Sequence, residues 1–215
     1  MSLDPVTLRN GAILFLVLLA SLCIHEWAHA FTADKLGDST PRRDGRVTLN
    51  PAAHIDLLGT IILPLLCIFV IPGGFFLAWG RPVMTNPSYY RHPRRDDVLV
   101  TAAGPGANLG LALLAALIGG FASRFDPRVG DLAMLVIQIN VFLAVFNLIP
   151  LPPLDGGNIM RHAVGMREET YLRIAQWSFF IFLVLIYLPP VRAMIAFAMA
   201  VTVWPFAVLL HLIGG

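Results

Sequence analysis

His25-Glu26-Trp27-Ala28-His29 sets two imidazoles four residues apart with a carboxylate beside the first. On a helix, residues four apart share a face, so both rings can reach one metal ion while Glu26 turns toward a water at that metal. Zinc suits such a pair, because a catalytic zinc takes three protein ligands, keeps one position for water and lowers that water's pKa toward about 7. The chemistry on offer is hydrolysis with Glu26 as general base.

A third ligand is needed, and few acids or imidazoles lie in apolar surroundings. Asp155 stands out in Pro150-Leu151-Pro152-Pro153-Leu154-Asp155-Gly156-Gly157, where two prolines break a helix and two glycines let backbones come close. Taken alone, Leu-Asp-Gly-Gly reads equally well as a polar turn capping the next helix. Beside the HExxH motif, the ligand reading is favoured.

The elements that must position these residues lie in a bilayer. Hydrophobic residues make up 57% of the 215 and charged ones 13%, with a mean hydropathy of +0.75, whereas a soluble domain is about 25% charged. Long apolar runs predict helices over about Leu8–Ala33, Asp97–Phe121, Asp131–Ile149, Tyr171–Leu188 and Val191–Leu212. No run alternates apolar with polar residues as a membrane barrel requires. The expected fold is an all-α polytopic membrane protein of about five to six transmembrane helices. Arg46–Asn50 is β-prone and predicts a short strand at the membrane surface. The whole chain, 1–215, reads as a single domain, with the core at about 8–157 and accessory helices at about 171–213.

One stretch decides the topology. His25 and His29 end the first helix and Asp155 follows the helix ending near Ile149, so the two ends must share a side if the residues are to meet. A full span of Leu57–Trp79 would put them on opposite sides, so this stretch is expected to turn back at Pro72-Gly73-Gly74 as a re-entrant segment or short hairpin. Charge agrees: eight basic residues between Asp34 and Asp96 and three between Leu151 and Arg173 then share a side, against Arg9, Arg124, Arg128 and Arg192 opposite. The positive-inside rule turns the site toward the cytoplasm.

Basic residues at the ends of apolar runs, one lysine and fourteen arginines for a net charge of +2, reflect topology and not nucleic-acid binding. Cys23 and Cys67 lie in apolar segments and read as buried thiols. The apolar run Gly11–Ile24 leads straight into the His/Glu motif and is read as a retained helix, not a signal peptide.

With these motifs in order, the chain resembles the site-2 protease family of intramembrane metalloproteases, in particular its compact bacterial members without a PDZ or CBS domain. The matching segments are His25–His29, Gly45–Pro51 with His54-Ile55-Asp56, Trp79–Val83, Ala103–Asn108 and Phe146–Gly157. The resemblance implies His25, His29 and Asp155 as ligands of one zinc ion, Glu26 as general base, and Asn147 at the active site to bind substrate or stabilise the oxyanion. It also implies a membrane-protein substrate with a transmembrane helix, cut in a bacterial inner membrane after local unwinding, with the Arg46–Asn50 strand holding it by edge pairing. Oligomeric state and regulatory partners are not legible. Two other classes compete. A zinc-binding scaffold would not need Glu26, and a metal transporter would show repeated halves or several polar helices. His54 reads as an interfacial anchor or a group acting through a ligand. Asn108 reads as a bond across helices, and His92, His162 and His211 read as surface or interfacial residues. Trp177, Trp204, Tyr171 and Tyr187 fit an aromatic belt.

Overall fold

The computed structural model describes residues 4–70 and 78–215, with the side chains at 179, 183 and 186 left aside. It consists of α1 (Pro5–Lys35), α2 (Thr40–Arg43), a π-helical turn (Leu57–Ile62) running into α3 (Leu63–Phe69), then α4 (Pro93–Ser123), α5 (Pro127–Asn147), α6 (Asp155–Ala163), α7 (Glu168–Tyr187) and α8 (Pro189–Gly214). Among the described residues, α1, α4, α5 and α8 are long and apolar enough to cross a membrane. Each of these four starts on a proline, whose fixed φ and missing N–H suit the first helical position. Asp4 caps α1 through the N–H groups of Val6 and Thr7, and Asp126 caps α5 through that of Arg128. Counting apolar residues alone placed these starts several residues late.

Cross-helix contacts fix the directions. His29 meets Val100 while His25, one turn earlier, meets Asn108, so α1 and α4 run antiparallel. Asn108 meets Asn140 and Gly119 lies against Ala133, so α4 and α5 are antiparallel too. The C-terminal end of α1, the start of α4 and the end of α5 therefore share one end of the bundle. Ala112, Ala116, Ala133, Ile137, Val141 and Leu210 form the core between α4, α5 and α8. Small residues allow that closeness: a Cβ on Gly119 would lie 2.2 Å from the Cβ of Ala133. A second core of Leu18, Leu22, Ile139 and Leu143 joins α1 to α5.

The expected strand at Arg46–Asn50 does not form, and no strand occurs among the described residues. Side chains satisfy this backbone in place of a partner strand: the Thr48 carbonyl meets His54 Nε2 at 2.7 Å, and Asn50 N–H donates to Thr48 Oγ1 at 3.1 Å. Buried Arg46 donates to the carbonyls of Ala53, Arg81 and Pro82, which ties the loop to the chain returning at Trp79. The expected turn-back at Pro72-Gly73-Gly74 lies outside the described residues. α6 is an element that no apolar run announced.

Candidate metal centre

His25 and His29 occupy one face of α1 and are buried. Asp155 reaches them from the first residue of α6, after a tightly folded Leu148–Leu154 segment. A Cβ on Gly156 would lie 2.2 Å from the Leu148 carbonyl oxygen, and one on Gly157 2.5 Å from Pro152 N. Only glycine permits this approach, and it brings the Asp155 carboxylate over α1. Three donor atoms result, one from each of His25, His29 and Asp155, all within 4.8 Å of one another. The two Nε2 atoms are 3.0 Å apart, and Asp155 Oδ2 lies 3.4 Å from that of His25 and 3.5 Å from that of His29.

The donors fit a metal ion. His29 Nδ1 is 2.8 Å from the Val100 carbonyl, which can only accept, so that nitrogen carries the proton and Nε2 presents its lone pair to the cluster. Asp155 Oδ2 is buried without a hydrogen-bond partner. An orphaned carboxylate oxygen facing imidazole nitrogens is costly without a cation, and two nitrogens plus one carboxylate match the donor set of a catalytic zinc.

α4 is the platform. Val100 meets His29, Asn108 meets His25 at 2.7 Å, and Gly104 leaves room for both rings, since a Cβ there would lie 2.3 Å from His29 Nε2. Asp97, on the same face, fastens α6: its Oδ2 accepts from Asn158 at 3.1 Å and lies 2.6 Å from His162 Nε2 and 3.4 Å from Arg161. His162 is thus a partner of a buried acid and not a free surface group.

The cluster opens on a cavity of about 630 Å³. Glu26 lines it beside the ligands, with Gly80 so close that a Cβ would lie 2.7 Å from Glu26 Cγ. Asn147 lines it from α5, one amide hydrogen on the Leu143 carbonyl at 2.9 Å. Leu22, Trp79, Phe146 and Phe182 give apolar wall, and Tyr171, read from sequence as a belt residue, faces the cavity. The structure thus brings together all five residues singled out in the sequence. His54 is not on the cavity wall. Sequence reasoning missed Asn140, which is wholly buried against Asn108; the signal was a strongly polar side chain inside an apolar helix.

A buried imidazole–carboxylate cluster inside a bundle of membrane-length helices is the donor set of a metal centre in a membrane protein. The model of peptidase family M50 matches residues 122–189, which run from the end of α4 through Asp155 and α7. YwhC of Bacillus subtilis, assigned as a zinc metalloprotease, is 37% identical over 186 residues, covering 82% of this chain and 80% of that protein. Rip2 of Mycolicibacterium smegmatis, likewise assigned, is 34% identical over 176 residues, and that of Mycobacterium tuberculosis strain H37Rv is 33% identical over 177. Both alignments cover 80% of this chain and 65% of Rip2. No solved structure matches significantly. The chain belongs to family M50, the site-2 proteases, and is a zinc metalloprotease.

Proposed function

We propose that this protease cuts peptide bonds in or next to transmembrane segments of other membrane proteins, with one zinc ion held by His25, His29 and Asp155. The observation that carries the reading is the convergence of these three side chains and Glu26 on one cavity among membrane-length helices. Zinc held there would acidify a water and polarise the scissile carbonyl. Glu26 takes the proton from the attacking water and returns it to the leaving nitrogen. Asn147 keeps one amide hydrogen for a substrate carbonyl or the developing oxyanion. A helical substrate holds its carbonyls in backbone hydrogen bonds, so the segment that enters the cavity unwinds before it is cut. The apolar wall suits the side chains such a segment carries.

The same reading makes Leu57–Trp79 a hairpin. It is supported by Trp79 N–H on the Gly59 carbonyl at 3.1 Å and Thr60 Oγ1 on the Trp79 carbonyl at 2.8 Å, which bring the departing and returning chain together. With α7 as a further span, the bundle has five, and the site opens to the cytoplasm of a bacterial inner membrane.

Glu26→Gln tests the assignment, because it keeps size and polarity and removes only the base. Cleavage of a single-span membrane substrate by purified protein in detergent should fall at least about a hundredfold, with zinc content unchanged. Undiminished cleavage would remove Glu26 from the mechanism, and cleavage resistant to a chelator would remove the metal.

A further inference from the structure

Asn140 takes no part in the reaction described above, yet it is wholly buried at the centre of α5, where α1, α4 and α5 meet. Its contacts can be followed one at a time, because each contact dictates the next. The Val136 carbonyl lies 2.9 Å from one end of the Asn140 amide. A carbonyl only accepts, so that end is the NH2 group. The other NH2 hydrogen goes to Ser21 Oγ at 3.0 Å, whose own hydroxyl donates to the Val17 carbonyl at 2.8 Å. Asn140 therefore turns its oxygen to Asn108, 2.9 Å away. An oxygen facing an oxygen would repel, so Asn108 must present its NH2 there. Asn108 then has only its oxygen left for His25 Nδ1, at 2.7 Å, and that nitrogen must carry the ring's proton. The direction of the relay follows from the Val136 carbonyl, two side chains away from His25, and the Ser21 carbonyl, 3.5 Å from the Asn108 amide nitrogen, agrees with it.

We propose that Asn140, anchored by Val136 and Ser21 and acting through Asn108, is a positioning residue that fixes His25 as the tautomer protonated at Nδ1, and thereby sets the zinc affinity of the centre. The inference rests on the reading of His25 as a ligand. Its physical content is that a ligating imidazole needs a free lone pair on Nε2, and the partner of its other nitrogen decides whether it has one. Without Asn140 the Asn108 amide keeps only the longer contact to the Ser21 carbonyl, at 3.5 Å, to orient it. It can then turn its NH2 toward His25 and drive the proton to Nε2. Polar side chains inside a membrane bundle are costly, and three of them in line across three helices call for such a use.

The test is zinc affinity of the full chain in detergent, measured by competition with a chelator, so that no turnover is needed. Asn140→Leu should weaken binding by about 10- to 100-fold, the usual effect of losing a partner behind a ligand. A second pair stays informative if that variant does not fold. Asn108→Asp still accepts from His25 Nδ1, although its second oxygen then opposes that of Asn140, and it should lose less zinc affinity than Asn108→Leu, which should lose at least about tenfold. A packing role predicts the reverse order, because a buried leucine suits the bundle better than a buried aspartate. Full affinity in Asn140→Leu, or Asn108→Asp weaker than Asn108→Leu, would overturn the proposal while leaving the ligands in place. Full zinc in His25→Ala would overturn the ligand reading, and this inference with it.

Discussion

Gly104 shows what the centre demands of a single residue. It contributes no donor and no charge, yet a methyl group there would lie 2.3 Å from His29 Nε2 and 2.6 Å from His25 Cε1. Something would have to shift, and the rings are held from behind by Val100 and Asn108. Gly104→Ala should therefore lower zinc occupancy sharply, at least tenfold in affinity, while the protein still elutes as a folded species. Normal zinc content in that variant would show that the rings can retreat. His25, Glu26 and His29 were legible in the sequence because a four-residue spacing on a helix has one geometric meaning. Asp155 was legible from the breakers around it. Gly104 and Gly80 were not, because the value of a glycine lies in what approaches it, and that partner is distant in sequence. Asn108 was read as a bond across helices, which it makes, but nothing in the sequence said that the bond ends on His25.

Among the elements, α4 carries the most. Asp97, Val100, Thr101, Gly104 and Asn108 recur every three or four residues, so one face of one helix addresses both histidines and α6 together. α6 is linked through the buried Asp97 carboxylate, shared by Asn158, Arg161 and His162, and through Thr101 Oγ1, which accepts from Asn158 at 2.7 Å. Asp97→Ala should loosen the element that carries Asp155, leaving it the Asn158–Thr101 bond, without removing a donor. Its zinc affinity should fall about tenfold or more, and excess zinc should restore peptidase activity. Asp155→Ala should not be restored. A titration of activity against zinc separates the two, and failure of zinc to rescue Asp97→Ala would give Asp97 a role beyond the tether. The helices at this scale were foreseeable from apolar runs. Their starts at Pro5, Pro93, Pro127 and Pro189 needed attention to caps. α6 escaped notice because two glycines in its first turn lower its intrinsic helix propensity, and contacts with α4 compensate. The strand expected at Arg46–Asn50 failed because β-propensity needs a partner, whereas here His54, Thr48 and Cys23 satisfy the backbone.

For the molecule as a whole, the outer faces are as informative as the core. Leu16, Ile118, Phe197 and Trp204 are each more than half exposed, as lipid-facing side chains would be. Because α1 and α4 are antiparallel and meet beside His29, the chain between them leaves and returns at one end of the bundle. Asp38 Oδ2 accepts from Asn86 N–H at 2.6 Å and closes that excursion. Cysteines placed at Thr40 and Ser88 should therefore be labelled from the same side of the membrane, the cytoplasmic side on the proposed topology. Labelling from opposite sides would refute the hairpin, and labelling of both from outside would reverse the orientation but keep the bundle.

The centre is also divided along the chain, with both histidines on α1 and the aspartate on α6, beyond two intervening membrane-length helices. Synthesis proceeds in that order. On the proposed ligand set, a nascent chain carries Glu26 and two imidazoles through most of its insertion yet lacks its third donor until α5 has docked against α1. On that ligand set, completion of the centre coincides with closure of the fold.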